Sequence, residues 1–284
     1  MLLEYLRRFP DNEGSECTFS NLYIWAKGNR VEWAIEDDTL LIHTYSCDTP
    51  CLMMAFCDPC GLERGICAAI AFMGRLGEEF RMCSLPEWYV RRMQERMPGK
   101  FVYTREEHHD DYVYETESMI SLAGRDLHAK RNHINKFNNM FRGRYEYQPY
   151  DTSMFADCMD AYFRWYEEQG AVEELDLERD SVERALRCVD PLGLKAAVIR
   201  VDGKVEAFTV GEKITNDMAL IHIEKANYNV QGLFSVINQM FLENTFSGLK
   251  WVNREEDMGI EGLRRAKRSY KPARMVLKYG ATLA

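Results

Sequence analysis

The sequence lacks any apolar run long enough to cross a membrane, which takes about 20 residues, because charged residues interrupt every hydrophobic stretch. The first residues, MLLEYLRRFPDNEG, are too short and too quickly charged for a secretory signal. Positive charge is scarce, since 36 lysines and arginines face 45 acidic residues and the net charge is −9. This balance disfavours general coating of nucleic acid but is compatible with a local basic patch. We therefore expect a cytoplasmic protein without a transmembrane segment.

Cysteine pairs of the kind that bind zinc are also scarce. The nine cysteines include one C-x-x-C pair, Cys57 and Cys60, whereas zinc sites usually have a second such pair or a histidine pair. Most of the other cysteines lie in apolar segments, as do Cys67, Cys83 and Cys158. We expect reduced, buried thiols and no metal site, with a metal at the C-x-x-C pair as the alternative.

What the sequence does have is enough hydrophobic material for a full core. Hydrophobic residues make up 46% of the 284 positions and charged residues 29%, which is typical of a globular protein. Strand and helix patterns follow one another in a similar order in both halves. The patterns predict an α/β protein of two similar domains, residues 1–118 and 119–284, the second beginning with a linker helix. Each domain is expected to be a mixed, mostly antiparallel sheet flanked by helices.

The second half contains a strand, turn, helix and strand between Asp217 and Asp257. Met218 to Glu224 is β-branched and apolar, a helix follows Gly232, and the next strand ends at Val252, so a parallel β-α-β unit is predicted. Free backbone N–H groups at the helix start favour an anion such as a donor phosphate. The residues that would line this place are Asn229, Gln231, Gly232, Leu233, Phe234 and Ser235. A plain turn is the alternative, because the phosphate-loop pattern is incomplete.

Four segments of the chain carry a resemblance to a known family. They are SLAGRDLHAKRNHINKF from Ser121, AFTVGE from Ala207, IHIEKAN from Ile221 and NREEDMGIEGLRRAKRSYKP from Asn253. Together they resemble the C-terminal-domain family of lysylphosphatidylglycerol synthase (phosphatidylglycerol lysyltransferase), whose members are tandem GNAT proteins similar to FemX-type transferases. The resemblance implies two tandem GNAT-like acyltransferase domains, with the active site in the second.

The implied reaction is transfer of an activated acyl group to an amine or hydroxyl acceptor, possible acceptors including a phospholipid headgroup. The donor would be aminoacyl-tRNA or acyl-coenzyme A, and no firmer cofactor is implied. Leu233 and Phe234 stand where a coenzyme A loop would have small residues, which favours aminoacyl-tRNA. The alternative of another class is a non-catalytic GNAT-like module that binds a metabolite or an RNA.

Acyl transfer needs a base for the acceptor's proton and a hydrogen-bond donor for the developing oxyanion. Glu224 is the first candidate base and His222 the second, because alternation along the strand places both on one face, beside the helix start. A solvated edge glutamate and a hydrogen-bonded core histidine are the structural alternatives. The GNAT analogy makes Tyr270 a candidate general acid.

Further candidates for substrate binding come from three places. Arg131 falls within the apolar stripe of the linker helix, where a cation must be paired or must face a cavity. It is flanked by Asn132 and His133, and a salt bridge between the domains is the alternative. The polar residues that follow the second strand of the β-α-β unit could recognise an amine, or could form a solvated loop. They are Asn253, Arg254, Glu255 and Asp257.

The third place is the locally basic last segment, in which Lys267 is a candidate ligand of the substrate. Its cations, with aromatic residues between them, could contact phosphates of tRNA or of a lipid headgroup. They are Lys250, Arg254, Arg264, Arg265, Lys267, Arg268, Lys271, Arg274 and Lys278. An amphipathic helix with a basic outer face is the alternative.

Overall fold

The computed structural model describes residues 1–46, 48–169 and 172–284. Their contacts group into two compact units. The first unit comprises residues 1–111, 256–259 and 275–284, and the second comprises residues 112–255 and 260–274. The contacts divide at 111/112, whereas the sequence analysis placed the boundary at 118/119. The last residues of the chain join the first unit because they pair with its strands. Such a pairing over a long sequence separation leaves no local signal in the sequence.

The helices and strands are numbered in chain order. The helices are α1 Leu2–Leu6, α2 Phe19–Ile24, α3 Leu62–Leu76, α4 Glu87–Arg96, α5 Thr116–Ser121, α6 His128–Met140, α7 Phe155–Gln169, α8 Val172–Arg187, α9 Leu233–Phe241 and α10 Glu261–Arg268. The strands are β1 Glu32–Glu36, β2 Thr39–Ser46, β3 Thr49–Leu52, β4 Arg81–Pro86, β5 Phe101–Arg105, β6 Asp111–Glu115, β7 Tyr145–Pro149, β8 Lys195–Val201, β9 Lys204–Lys213, β10 Met218–Ala226, β11 Trp251–Asn253, β12 Arg274–Val276 and β13 Lys278–Leu283. No helix within the described ranges has both the length and the hydrophobicity that crossing a membrane requires.

The first unit is built on a six-stranded sheet in the order β1-β2-β3-β4-β13-β5. Its strand pairs are antiparallel except β3 with β4, which is parallel. Helix α3 buries Ile66, Ala69 and Met73, whose spacing of three and four residues forms one helical stripe. The helix ends at Gly77 in the left-handed conformation, which glycine adopts without a steric penalty. This sheet and its helices bury one continuous hydrophobic core.

The cysteines of the first unit differ from the expectation. Cys51 on β3 and Cys83 on β4 form a disulfide, so the prediction of reduced thiols is wrong for this pair. Their strands are neighbours in the sheet, a contact that the separation of 32 residues hides in the sequence. Cys67 is exposed rather than buried, whereas Cys158 in the second unit is buried as expected. Cys47 lies outside the described residues.

The second unit is built on a seven-stranded sheet in the order β12-β6-β11-β10-β9-β8-β7. The pair of β10 and β11 is parallel, which confirms the predicted β-α-β unit around α9. Strands β7 to β10 form an antiparallel meander that includes the predicted hairpin of β8 and β9. Both units therefore contain a mixed sheet flanked by helices, which confirms the predicted fold class.

The end of the chain departs from the predicted single strand from Arg274 to Tyr279. The structure divides this segment into β12 and β13, which belong to different sheets. Strand β13 lies between β4 and β5 and pairs antiparallel with both. A continuous β pattern in the sequence does not show which sheet each of its residues joins.

Lys278 at the start of β13 is one of the most deeply buried charges of the first unit, with 1% of its side chain exposed. Its ammonium donates to Asp111 Oδ1 at 2.6 Å and Ser15 Oγ at 3.2 Å, and it forms an ion pair with Glu16. Burial alone would lower the pKa of Lys278, but the negative charges of Asp111 and Glu16 outweigh burial and raise it. The prediction that Lys278 belongs to a basic surface is therefore wrong.

We predict that Lys278→Met lowers the free energy of unfolding by about 3 to 5 kcal/mol, because it leaves buried carboxylates without their counter-charge. Urea denaturation followed by circular dichroism would measure the change. The exposed Lys100 provides the matched control, and Lys100→Met is expected to stay within about 0.5 kcal/mol of the wild type. Equal stability of the two variants would contradict a stabilising role for the buried ammonium.

Candidate active site

The candidate active site lies at one edge of the second sheet, where the parallel strands β10 and β11 end. Glu224 lies near the end of β10, and Arg254 directly follows β11. Arg254 Nη2 donates to Glu224 Oε1 at 2.8 Å, and Asn238 Nδ2 on α9 donates to Glu224 Oε2 at 2.7 Å. The side chains of Arg254 and Glu224 are 13% and 12% exposed, so water screens their ion pair only weakly.

Two polar atoms beside this ion pair lack a partner. Arg254 Nη1 and Asn238 Oδ1 are buried, and neither forms a hydrogen bond with any residue in the part of the chain that the structure describes. Buried polar groups are nearly always hydrogen-bonded, since an unpaired one costs about 1 to 3 kcal/mol. One atom is a cationic donor and the other an acceptor. Together they suit a ligand that offers both an oxygen and an N–H or O–H group.

Tyr270 lies just beyond α10 and is brought into the same site. Its hydroxyl donates to Ser235 Oγ at 3.0 Å, and Arg254 Cζ lies 5.1 Å from the centre of its ring. Burial raises the pKa of Tyr270, so the phenol keeps its proton at neutral pH. The role of Tyr270 as a general acid stays a prediction.

Lys130 on α6 is a site residue that the sequence analysis missed. Its Nζ lies 4.0 Å from the centre of the Tyr270 ring, and it forms no ion pair within the described residues. Burial, followed by the positive charge of Arg254, lowers the pKa of Lys130 to about 8 against the opposing effect of Glu224. A signal was present, because Lys130 lies three residues after Leu127 and therefore on the same apolar stripe as Arg131.

Arg131, the cation chosen from that stripe, has a different environment. Its Nη1 donates to the carbonyl oxygen of Gly124 at 2.7 Å and also to that of Leu122. These contacts hold the loop that precedes α6 and use donors that a substrate would need. Asn132 and His133 are exposed, and Asn132 Nδ2 lies 3.3 Å from the Nδ1 atom of His128. Substrate binding by Arg131, Asn132 and His133 stays a prediction.

His222 lies at a bulge of β10, between Ile221 and Ile223, which interrupts the alternation expected to place it beside Glu224. Its Nε2 is 3.0 Å from Glu212 Oε1 and its Nδ1 is 3.0 Å from Glu255 Oε1. Burial would lower the pKa of His222, but these two carboxylates outweigh burial and raise it to about 9. At neutral pH the ring is an imidazolium that donates from both nitrogens, which leaves neither nitrogen free to act as a base.

The other polar residues after β11 hold the backbone around Arg254. Asn253 Oδ1 accepts from the backbone N–H of Glu255 at 2.7 Å. Lys267 is buried, and its Nζ donates to the carbonyl oxygens of Arg254 at 2.5 Å and Glu255 at 3.0 Å. Of the predicted recognition cluster, Asp257 belongs to the first unit, where its Oδ1 accepts from Gly259 N–H at 2.9 Å. Asn253 and Lys267 thus hold the backbone at Arg254 and Glu255. Substrate binding by Asn253, Arg254, Glu255, Asp257 and Lys267 stays a prediction.

The start of α9, predicted to hold a donor phosphate, is closely packed. Gly232 has φ +89°, and a Cβ atom there would lie 2.4 Å from the carbonyl oxygen of His133 on α6. Only glycine allows this approach of α6 to the start of α9. The N–H of Leu233 bonds to Val230 O at 3.2 Å, and the N–H of Ser235 bonds to Gly232 O at 2.9 Å. These contacts leave fewer free amides for an anion than a bare helix start would have.

The side chains around this helix start are also partly engaged. Leu233 is fully buried, and the hydroxyl of Ser235 accepts the bond from Tyr270. Asn229 and Gln231 are exposed, and Asn229 Nδ2 donates to Glu168 Oε2 at 3.0 Å. Phe234 packs against the ring of Tyr228 with centroids 5.1 Å apart. Phosphate binding by these residues stays a prediction.

Each of the two units is a mixed sheet flanked by helices. The family model described as "Phosphatidylglycerol lysyltransferase, C-terminal" matches residues 7–282, and the chain belongs to that family. Family and fold together support an acyltransferase enzyme.

Solved structures share this fold, and one curated protein matches part of the sequence. One match is a crystal structure of a conserved protein of unknown function from Bacteroides thetaiotaomicron VPI-5482. The aligned region covers 100% of this chain and 98% of that chain, with 29% identity and a TM-score of 0.90. The structure of L-PGS from Bacillus licheniformis covers 99% of this chain and 91% of its own, with 10% identity and a TM-score of 0.67. An uncharacterised protein of Mycoplasmoides gallisepticum is 25% identical over 177 residues, which are 60% of this chain and 54% of that protein. The match thus spans about half the length of that curated relative.

We predict that alkaline pH destabilises the protein through His222. Its pKa is raised from 6.5 to about 9, so the stabilisation is complete below pH 6.5 and is lost as pH rises through about 9. His222→Gln should be less stable than the wild type near pH 6.5, and the difference should shrink towards pH 9. Denaturant titrations across this range would measure it. A difference that is constant with pH would rule out a charged His222 in the folded state.

Proposed function

We propose that the chain transfers an aminoacyl group from aminoacyl-tRNA to a hydroxyl or amine acceptor, with a phospholipid headgroup as the first acceptor to test. The name of its family, which specifies a lysyltransferase acting on phosphatidylglycerol, supports this choice. The observation that carries the proposal is the pair of unpartnered atoms beside Glu224. Arg254 Nη1 suits the carbonyl oxygen of an aminoacyl group, and Asn238 Oδ1 with the Glu224 carboxylate suits its α-ammonium. An acetyl group has no N–H to offer Asn238.

The proposed step is attack of the acceptor's oxygen or nitrogen on the carbonyl carbon of the aminoacyl ester. The new bond forms as the carbonyl oxygen becomes negative, and an N–H of Arg254 is available to stabilise that charge. The carbon–oxygen bond to the terminal ribose of the tRNA then breaks, and the proton lost by the acceptor is returned to the ribose oxygen. Tyr270 is the candidate donor of that proton. Burial strengthens each of these interactions because little water competes with them.

Glu224 has a different role in this scheme from the predicted base. Both of its oxygens already accept a hydrogen bond, one from Arg254 and one from Asn238. We infer that Glu224 orients Arg254 and Asn238 and balances the charge of the bound ammonium.

Coenzyme A is the alternative donor, and the packing of α9 disfavours it. A pyrophosphate would normally approach a helix start through free amides and small residues, whereas α6 contacts Gly232 and bulky side chains follow it. The test is transfer of labelled amino acids from bulk aminoacyl-tRNA to phosphatidylglycerol vesicles, compared with transfer of labelled acetyl from acetyl-coenzyme A to a polyamine. Label in the lipid supports the proposal. Label from acetyl-coenzyme A alone would overturn it.

The basic residues that the structure leaves exposed support an RNA partner. They are Lys250, Arg265, Arg268 and Lys271, whereas Arg254, Lys267 and Lys278 are occupied inside the protein. A gel shift with bulk tRNA at two salt concentrations tests the contact, which should weaken steeply with salt. A tRNA shift without any acyl transfer would instead favour the non-catalytic module.

Arg254→Lys is expected to lower the rate of transfer about 10²- to 10³-fold. Lysine keeps the charge but lacks the planar fork in which one nitrogen holds Glu224 while another is aimed at the oxyanion, and loss of one such donor has this magnitude. Single-turnover kinetics would measure the rate. The exposed Arg142→Lys is the matched control and should transfer at the wild-type rate. Similar rates for both variants would remove Arg254 from the mechanism.

Glu224→Gln is expected to slow transfer roughly 10- to 100-fold through misplacement of Arg254, with the shape of the pH–rate profile unchanged. Glutamine can still accept from Arg254 but carries no charge. The profile of the variant, compared with that of the wild type, separates orientation from proton transfer. If the variant loses a limb of the profile, Glu224 is the base after all.

A further inference from the structure

Lys130 is a titratable group of the site that has no role in the aminoacyl transfer as proposed so far. It projects from α6 onto the ring of Tyr270, and Arg254 contacts the same ring. The ring of Tyr270 thus places the lysine amine in the surroundings of Arg254. The ammonium has no carboxylate partner among the described residues, so no ion pair holds its proton in place.

The other candidate bases of the site are already engaged. The two oxygens of Glu224 accept from Arg254 and Asn238. The two ring nitrogens of His222 lie between carboxylates, and the hydroxyl of Tyr270 donates to Ser235. Among the described residues, the lysine amine contacts an aromatic face and forms no ion pair, which leaves its nitrogen lone pair available when the amine is neutral.

We propose that Lys130 is a catalytic residue, whose neutral amine takes the proton from the acceptor as the acceptor attacks the carbonyl group held by Arg254. This inference rests on the proposed function. One bond forms between the acceptor's oxygen or nitrogen and the carbonyl carbon, and the ester bond to the tRNA ribose breaks. The acceptor's proton moves to the amine of Lys130, and the ammonium of Lys130 then gives that proton to the ribose oxygen, directly or through the phenol of Tyr270, which regains its own proton from the ammonium. No oxidant, reductant or metal ion takes part.

The charges around Lys130 suit this role. Arg254 faces it from the loop after β11, Glu224 from β10 and Tyr270 from the segment after α10. Burial and Arg254 oppose the charged amine more strongly than Glu224 favours it, which places the pKa of Lys130 at about 8. A general base works best when its pKa lies near the working pH, since it is then both available and basic. The cation–π contact with Tyr270 stabilises the ammonium once the proton has arrived.

The first test compares Lys130→Arg with Lys136→Arg, an exposed position on the same helix. Arginine keeps the positive charge but cannot give up its proton, so it cannot act as the base. We expect Lys130→Arg to lose about 10²- to 10⁴-fold in the transfer rate, together with the rise in rate that the wild type shows through pH 8. Lys136→Arg should match the wild type. A Lys130→Arg enzyme with wild-type rate and profile would overturn the inference and make Lys130 an anion-binding cation instead.

A second measurement needs no activity. Trace labelling of the wild-type chain with acetic anhydride across a pH series, read by mass spectrometry of the peptides, reports when the amine of Lys130 becomes free. Half-maximal labelling near pH 8 is expected, and labelling of Lys130 indistinguishable from that of Lys136 would overturn the inference. If the wild type transfers nothing from any donor, the proposed function fails. The labelling profile then still decides whether Lys130 is a poised base or an ordinary lysine.

Discussion

The ion pair between Glu224 and Arg254 is the interaction on which the rest of the candidate site depends. Parallel pairing of β10 with β11 brings the two residues to one sheet edge, although 30 residues separate them in the chain. Burial makes the pair strong only while both partners are present, because either charge alone would be costly to leave unpaired. Asn238 joins the pair from α9, so that one carboxylate connects two elements of the β-α-β unit.

A second layer of charges maintains the position of Arg254. The buried ammonium of Lys267 holds the carbonyl groups of Arg254 and Glu255, and the imidazolium of His222 holds the Glu255 side chain. Glu255 itself adopts φ +56°, a conformation that most residues avoid and that these contacts stabilise. Lys267, His222 and Glu255, which were candidate site residues in the sequence, therefore contact or form the loop that carries one guanidinium. The backbone conformation of the loop after β11 therefore determines which of its side chains reaches the site.

The sequence alone predicted two similar domains, the β-α-β unit and the meeting of Glu224 and Arg254 at its edge, because these follow from local periodicity and from the geometry of parallel strands. It did not point to Asn238, which also binds Glu224. It could not predict that Lys278 is buried, since its partner Asp111 lies 167 residues away in the chain. The sequence analysis also selected Arg131 rather than Lys130 as the candidate site residue, although both lie on one helical stripe. The two cations share the same spacing pattern, and only the loop carbonyls near Arg131 and the Tyr270 ring near Lys130 distinguish them.

The place of β13 between β4 and β5 has a consequence for biosynthesis. Strands β4 and β5 are close in sequence and leave the ribosome together, yet in the finished sheet each pairs with a strand that is made more than 170 positions after β5. Until residues 278–283 emerge, β5 has no partner strand in this sheet and β4 has one unpaired edge. During synthesis, strands β7 to β10 of the second sheet are thus complete before β13 can join the first sheet. The unpaired strands of the first unit are therefore open to wrong pairing until synthesis of β13 is complete.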